Sequence, residues 1–348
     1  VAVGYQSLAG NQSANDIVGI GRQAGYSHTS GVGAVYLGAY AGKINTTGAR
    51  NIAIGYQAYD NADTESDNIA IGYDALGGAI NGAEKNVVIG NYAGDAVTSG
   101  DANVLMGYQA GTGITTGSNN VAIGYRAYDG TNTGSGNVAI GWDAGGDNAN
   151  TGGEAIYIGR LAGYAVTSGN HNVLIGMSAG KAITTNANNV IIGTHAGDSI
   201  TGAGNTIIGT QAATSASGGA AERNTIIGNY AAGALTTGDK NIILGDYSGK
   251  NITTGNNNVI IGGDINAPSA TADDQLLVAS GDGGVTWITG NSSGGIASKA
   301  QVVAVSSNTT LTEAQSGSYV FWTNGSLTLP ASGTVGTQYT IFNNTGGS

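Results

Sequence analysis

The sequence predicts an all-β chain: a parallel β-solenoid of about 16 coils of 17 residues, followed by a small antiparallel β-domain. Three observations predict it. A block of Asn, three apolar residues and Gly recurs along the chain, as in NIAIG at 51–55, NVLMG at 103–107 and NIILG at 241–245. Glycine fills 63 of 348 positions, roughly 18% against about 7% in average proteins, which marks a demand of backbone shape. The apolar runs are too short for a helix, and a 17-residue unit cannot bury a face alone, which leaves stacked short strands.

Composition removes several other classes. Two prolines and no every-third glycine exclude collagen, and the absence of cysteine excludes a disulfide framework. Only 9% of residues are charged while 40% are hydrophobic, against disorder driven by charge. The net charge of −11 repels phosphate and anionic lipid, so nucleic acid is not an expected partner. No run of about 18 apolar residues occurs, so no membrane insertion is expected. The start at Val1, without a Met or a signal segment, reads as a fragment or a processed chain.

Residues 1–262 form the repeat. Its turn glycines run from Gly4 to Gly262 at spacings of 16 to 19 residues. Gly55, Gly124, Gly193 and Gly262 are each 69 residues apart, so blocks of four coils were duplicated. Stacked at about 4.8 Å per coil, the array predicts a rod about 70 Å long. One residue before the glycine, every coil is apolar (Ile54, Ile71, Met106, Ile123); three before it, 14 coils carry Val or Ile, with Thr206 and Thr225 the exceptions. Alternation puts these two columns on one strand face, which is expected to be the solenoid's own core.

Two residues before the glycine lies the opposite face: Tyr36, Ala53, Ala70, Val88, Leu105, Ala122, and Leu or Ile in the last six coils. No member is charged, so this face is expected to be covered by another copy of the chain in a cyclic homo-oligomer, with two-fold packing as the rival. Three residues after the glycine, 13 of 16 coils carry Ala, a tight corner. Four before it, Asn recurs in 12 coils, from Asn51 to Asn258, which predicts a structural ladder entering the strand.

Residues carrying chemistry are sparse. His28, His171 and His195 fall at different coil positions with no partner at metal spacing, so no metal ligand is assigned. GIGRQAG at 19–25 imitates a dinucleotide fingerprint, but its glycines belong to the repeat, so no cofactor is assigned. Serines lack a nucleophile elbow or a histidine at fixed offset. A polysaccharide depolymerase would need paired carboxylates. Asp60, Asp63, Glu65 and Asp67 are the densest candidates and Asp273 with Asp274 the next, but one block later only Asp129 remains, so a solvent-facing acidic loop is expected. No calcium site is assigned to these carboxylates.

Thr pairs (Thr46–Thr47, Thr115–Thr116, Thr184–Thr185, Thr236–Thr237, Thr253–Thr254) skip coils and give no continuous ice-binding array. Tyr5, Tyr56, Tyr73, Tyr108, Tyr125 and Trp142 follow turn glycines, where packing along the rod is favoured over sugar stacking. No catalytic or binding residue is assigned, and no enzyme activity is expected.

NVAIGYRA (120–127), NVAIGWDAG (137–145) and NIAIGYDAL (68–76) resemble the head repeats of YadA-type trimeric autotransporter adhesins over residues 1–262. The resemblance implies a left-handed parallel β-roll, a homotrimer, and target binding on the outside. The coils here are longer than usual adhesin coils, and no heptad stalk, basic neck or membrane anchor follows.

Residues 263–297, with SATADDQLLVASGDGGVTWITGNSSGGI, read as a capping and transition segment in which Trp287 and Ile288 plug the open solenoid end. Residues 298–348 alternate apolar and polar positions (Tyr319, Phe321; Leu327, Leu329; Tyr339, Ile341) with turns at TNGS and PASG, read as an incomplete small antiparallel β-domain. Both segments resemble parts of bacteriophage tail fibres and tail-tip proteins. That likeness implies a virion tail fibre, with a host cell-surface glycan or protein receptor and other tail or fibre proteins as partners. A trimeric adhesin on a bacterial surface is the alternative.

Overall fold

The computed structural model describes residues 1–293, apart from 147, 216–218 and 282–285, and beyond them the backbone of the strands named below. Seventeen short strands, from β1 (Ala2–Val3) through β2 (Val18–Ile20) and β16 (Val259–Ile261) to β17 (Leu276–Ala279), stack as one parallel ladder. The chain is a parallel β-solenoid, and no helix occurs among the described residues. Each strand pairs with the one a coil away: Val121 lies beside Val138, Val190 beside Thr206 and Thr206 beside Thr225. The last parallel strand, β17, extends the ladder beyond Gly262, with Gln275 in the Asn place and Ala279 in the glycine place.

A coil this tight is made by positive φ. The turn glycines adopt φ from +124° to +148°, and a Cβ on Gly55 would sit 2.2 Å from the Gly72 carbonyl oxygen of the next coil. No other residue fits both that conformation and that contact. Other corners use left-handed residues that are not glycine, such as Arg50, Gln57 and Tyr59 at φ of 58°, 56° and 56°. Each costs about 1–2 kcal/mol. The neighbouring coils offset this, since all three N–H groups donate to them: Arg50 to the Val32 carbonyl at 2.8 Å, Gln57 to Ala39 and Tyr59 to Ala75, both at 3.0 Å.

The strand faces are the reverse of the expectation. The column two residues before the turn glycine, expected to be a seam between chains, is the core: Tyr36, Ala53, Ala70, Val88, Leu105, Leu174, Ile191 and Ile260 are fully buried within their own coil. The columns one and three before the glycine, apolar but for Thr206 and Thr225, face outward and are only partly covered. Alternation separates the two faces correctly but does not say which is inside. What decides it is volume. In most coils a large inner residue goes with a small residue four after the glycine, and an inner Ala with a large one; where both are small, as at Ala139 with Gly145, the Tyr128 and Tyr157 rings of the neighbouring coils fill the space. Tyr36 faces Gly42, Leu105 faces Gly111 and Tyr157 faces Gly163, whereas Ala53, Ala70 and Ala122 share their coils with Tyr59, Leu76 and Tyr128. A Cβ on Gly42 would sit 2.2 Å from the Tyr36 ring. Two positions that exchange volume must fill one close-packed space. The Ala column three after the glycine, from Ala24 to Ala231, is buried beside them.

Polar groups inside the coil are tied to one another. Each Asn before a strand accepts, through Oδ1, the backbone N–H of the Asn one coil on: Asn86 to Asn68 at 3.0 Å, Asn103 to Asn86 and Asn120 to Asn103 at 2.9 Å. The ladder runs from Asn51 to Asn137, stops at Ala155, and resumes from Asn172 to its end on Gln275. Buried tyrosine hydroxyls join it, with Asn68 donating to Tyr59 at 2.9 Å and Asn137 to Tyr128 at 2.8 Å. Burial raises the hydroxyls of Tyr36, Tyr59 and Tyr128, and pushes Tyr157 up to about 12, so all four keep their proton.

Beyond β17 the chain turns antiparallel. Strand β18 (Thr286–Gly290) pairs with β17, placing Val278 opposite Ile288, and β19 (Ile296–Ser298) pairs with β18. The open ladder edge is thus closed by hydrogen bonding; Trp287, expected as a plug, is 54% exposed. The segment expected to be an antiparallel domain pairs differently. Strands β20 (Val302–Val305), β22 (Tyr319–Trp322) and β24 (Thr340–Asn343) are parallel to one another, as are β21 (Thr309–Thr310) and β23 (Leu327–Thr328). The Val302-to-Tyr319 offset explains it: 17 residues match one turn of a coil, where a hairpin needs only a few. Leu329, Tyr339 and the TNGS and PASG turns lie outside the described residues.

Candidate functional surface

The outward face of the ladder is a stripe of two columns. One comprises Ile20, Leu37, Ile54, Ile71 and their successors to Val278; the other runs through Val18, Val35 and Ile52 to Leu276. Neither column holds a charge, and Leu37 and Ile242 are each 42% exposed. Seventeen strands at about 4.8 Å make the stripe about 75 Å long; at about 10 Å wide it covers on the order of 750 Å². The largest apolar patch on a typical monomer is about 300–600 Å². Val, Ile and Leu in every coil suit a β-strand, but strand propensity alone does not keep charge off an outward face.

Just past the turn glycines runs an aromatic ladder. Tyr40, Tyr56, Tyr73, Tyr92, Tyr108, Tyr125 and Trp142 follow one another with ring centroids 5.1–6.1 Å apart. Tyr56, Tyr73, Tyr108 and Tyr125 sit one residue after the glycine. In coils where that place is Ala39 or Asn91, the next residue, Tyr40 or Tyr92, supplies the ring. Cations flank the ends: Arg22 and Lys43 lie 5.3 and 5.4 Å from the Tyr40 ring, and Arg160 lies 5.3 Å from Trp142. Tyr230 and Tyr247 make a separate stacked pair at 4.8 Å. Tyr5 is exposed, and none of these ring contacts includes it. Tyr40 and Tyr92 were missed in the sequence because they sit one place out of register.

The acidic stretch, expected to face solvent, does so only at Asp63 and in part at Asp67. Asp60 and Glu65 are buried, at 7% and 6% exposure. The Glu65 carboxylate accepts the N–H groups of Asp63 and Thr64 at 3.0 Å and of Gly82 at 2.9 Å, holding two coils together. Asp67 forms a bidentate pair with Arg50 at 2.6 and 2.8 Å, and Asp63 accepts from Thr46. Asp273 accepts the Asn256 N–H at 2.7 Å, again coil to coil, and Asp274 is exposed. These carboxylates are engaged one by one rather than opposed across a cleft.

The other candidates also serve the coil. Of the paired threonines, Thr236 and Thr253 donate Oγ1 to a carbonyl one coil on at 3.1 Å, as the unpaired Thr29 and Thr98 do at 3.0 Å, so these hydroxyls are committed within the rod. His28 is buried between Tyr36 and the Gly31 carbonyl. His171 meets Glu154 at 3.0 Å on the surface, and His195 lies 3.4 Å from Asp198. Among the described residues no three His, Cys, Asp or Glu gather as a metal cluster. GIGRQAG spans β2 and the turn after it. The chain matches no protein-family model, no curated protein and no solved structure.

Proposed function

We propose that this chain is a structural and adhesive fibre protein, a homotrimer of left-handed rolls serving as a bacteriophage tail-fibre shaft that presents host-binding sites outward. The observation that carries the reading is the uncharged Val/Ile stripe on the outward strand face. Water is a poor neighbour for about 750 Å² of aligned apolar side chains, whereas an identical stripe from a second copy is a matched one. In this reading the seam between chains is the pair of columns one and three before the turn glycine, and each chain keeps its own core. The resemblance to trimeric adhesin heads favours three copies about a shared axis. The likeness of 263–348 to tail-fibre segments favours the virion tail, with a surface glycan or protein as receptor and other fibre proteins as neighbours. The rod acts by geometry, lining up weak contacts so that they are made together.

Light scattering coupled to size exclusion tests it. A mass near three times the 34.2 kDa chain is the expected result. A single-chain mass at micromolar concentration overturns the assembly and with it the trimeric fibre.

A further inference from the structure

The four-coil duplication supplies an internal control for the aromatic ladder. Tyr56, Tyr73 and Asn91 in one block correspond, 69 residues later, to Tyr125, Trp142 and Arg160. In the first block Tyr56 and Tyr73 stack at 5.4 Å with an interplanar angle of 11°, Tyr92 packs on Tyr73 at 5.1 Å, and Asn91 is held by the Tyr73 N–H at 3.0 Å. Ring faces there are taken up by other rings. In the second block Trp142 stands at 88° to Tyr125, 6.1 Å away, and the place of Tyr92 is taken by Leu161. The result is an open apolar cleft of about 370 Å³ lined by Tyr125 and Trp142, which are 50% and 51% exposed. Here too one face of each ring is taken, Tyr125 stacking on Tyr108 at 5.5 Å and the exposed Arg160 guanidinium lying over the indole at 5.3 Å, so the cleft is lined by what remains of the two rings.

We infer that the Tyr125–Trp142 cleft binds one pyranose unit of a surface glycan, its C–H face against the aromatic rings and its ring oxygens and substituents accepting from Arg160. The inference rests on the adhesive reading and names the ligand class of that surface. An apolar ring face beside one convergent charged donor is what a pyranose requires, since its faces are C–H and its rim is oxygen, and the Tyr125–Trp142 corner offers both. The stacked Tyr56–Tyr73 pair has the same sequence origin without the open wall, and is ladder packing alone. A shallow cleft gives a dissociation constant on the order of millimolar for one unit. Repetition on three chains would raise the avidity by about 10²-fold or more.

The test titrates the full chain with chitotriose, maltotriose and trigalacturonate, each to tens of millimolar, read by saturation transfer to the sugar protons. At least one of the three is expected to bind, with affinity falling about tenfold in Trp142→Ala and several-fold in Arg160→Ala, and unchanged in Tyr73→Ala. Trp142→Tyr is expected to restore part of the loss. Because Trp142 is exposed, the fold is checked by unchanged mass and circular dichroism. If none of the three saccharides binds, or if Trp142→Ala binds as the parent does, the inference is overturned. Those results leave the fibre reading standing if the mass is that of three chains; a single-chain mass fails that reading independently of any sugar.

Discussion

The coil of Tyr36 and the coil of Ala53, one step apart, fill the same interior in opposite ways. In the first, a tyrosine enters from the strand and Gly42 leaves room for it; in the second, the strand offers only a methyl group and Tyr59 enters from the corner. Both rings end in hydrogen bonds, Tyr36 to Asn45 at 3.1 Å and Tyr59 to the Glu65 carbonyl at 3.1 Å. Inner positions therefore vary so long as the partner position, or a ring from the next coil as at Gly145, makes up the volume. The outward columns have no such partner in their own coil, yet vary less. A constraint that acts on every coil alike and comes from outside the coil is what an assembly seam would impose.

The comparison can be broken at Tyr36. Tyr36→Ala leaves a cavity and is expected to cost about 3–5 kcal/mol in urea unfolding. Gly42→Tyr alone overpacks the ring and is expected to cost about 1–3 kcal/mol or more. The double variant recasts this coil as its neighbour and should recover most of both losses. A double variant no better than the sum of the singles would refute the exchange of volume.

Next in size is the Asn ladder. Asn103 donates Nδ2 to the Gly117 carbonyl at 3.0 Å and accepts the Asn120 N–H at 2.9 Å. Asn103→Ala leaves both groups buried without partners and is expected to cost about 1–3 kcal/mol. Ala155→Asn, at the natural gap, is expected to stabilise thermal unfolding by about 1 kcal/mol.

The outward face sharpens the contrast. Ile123→Lys should change the stability of an isolated chain by no more than about 0.5 kcal/mol, while reducing the light-scattering mass from three chains to one. An unchanged trimer would move the seam elsewhere.

The smallest effect is one of pH. Burial raises the Asp60 carboxyl above its ordinary range, helped by Asp74, although the Gln57 hydrogen bond opposes the shift. The folded chain thus holds this proton to higher pH than the unfolded chain, and the associated stability is lost as pH rises through the raised value. Asp60→Asn should raise Tm slightly near pH 7, with the difference vanishing below the ordinary carboxylate range. Asp67 behaves oppositely: the Arg50 hydrogen bond lowers it, so its contribution is present above that range and is lost on acidification.

The period, the strand register, the turn glycines and the Asn ladder were legible in the sequence because each is a demand repeated at one position in coil after coil. The inside and outside of the strand were not legible in the same way, since alternation assigns only parity and a constant column need not be a buried one. The signal that settles it, Gly42 with Tyr36 against Tyr59 with Ala53, was present as a correlation between two variable columns. Asp60 and Glu65 were read as solvated because charge normally is; only the structure shows the Gly82, Asp63 and Thr64 amides that satisfy Glu65. The perpendicular Trp142 could not be read at all, because ring angle depends on neighbours from three coils.

The coil-to-coil hydrogen bonds have a mechanical consequence. They lie along the length of the rod, so a pull on its two ends loads every rung in series while the bonds within a rung share the load. Such a rod yields at its weakest rung, whatever the strength of the others. The candidate rung within the Asn ladder lies between Ala155 and Asn172, where the Ala155 N–H donates to Asn137 Oδ1 at 3.1 Å but Ala155 has no side-chain oxygen to accept from the next coil. Within the stretch from Asn51 to Gln275, such a rod under tension would open there first, and Ala155→Asn would move the breaking point to another coil.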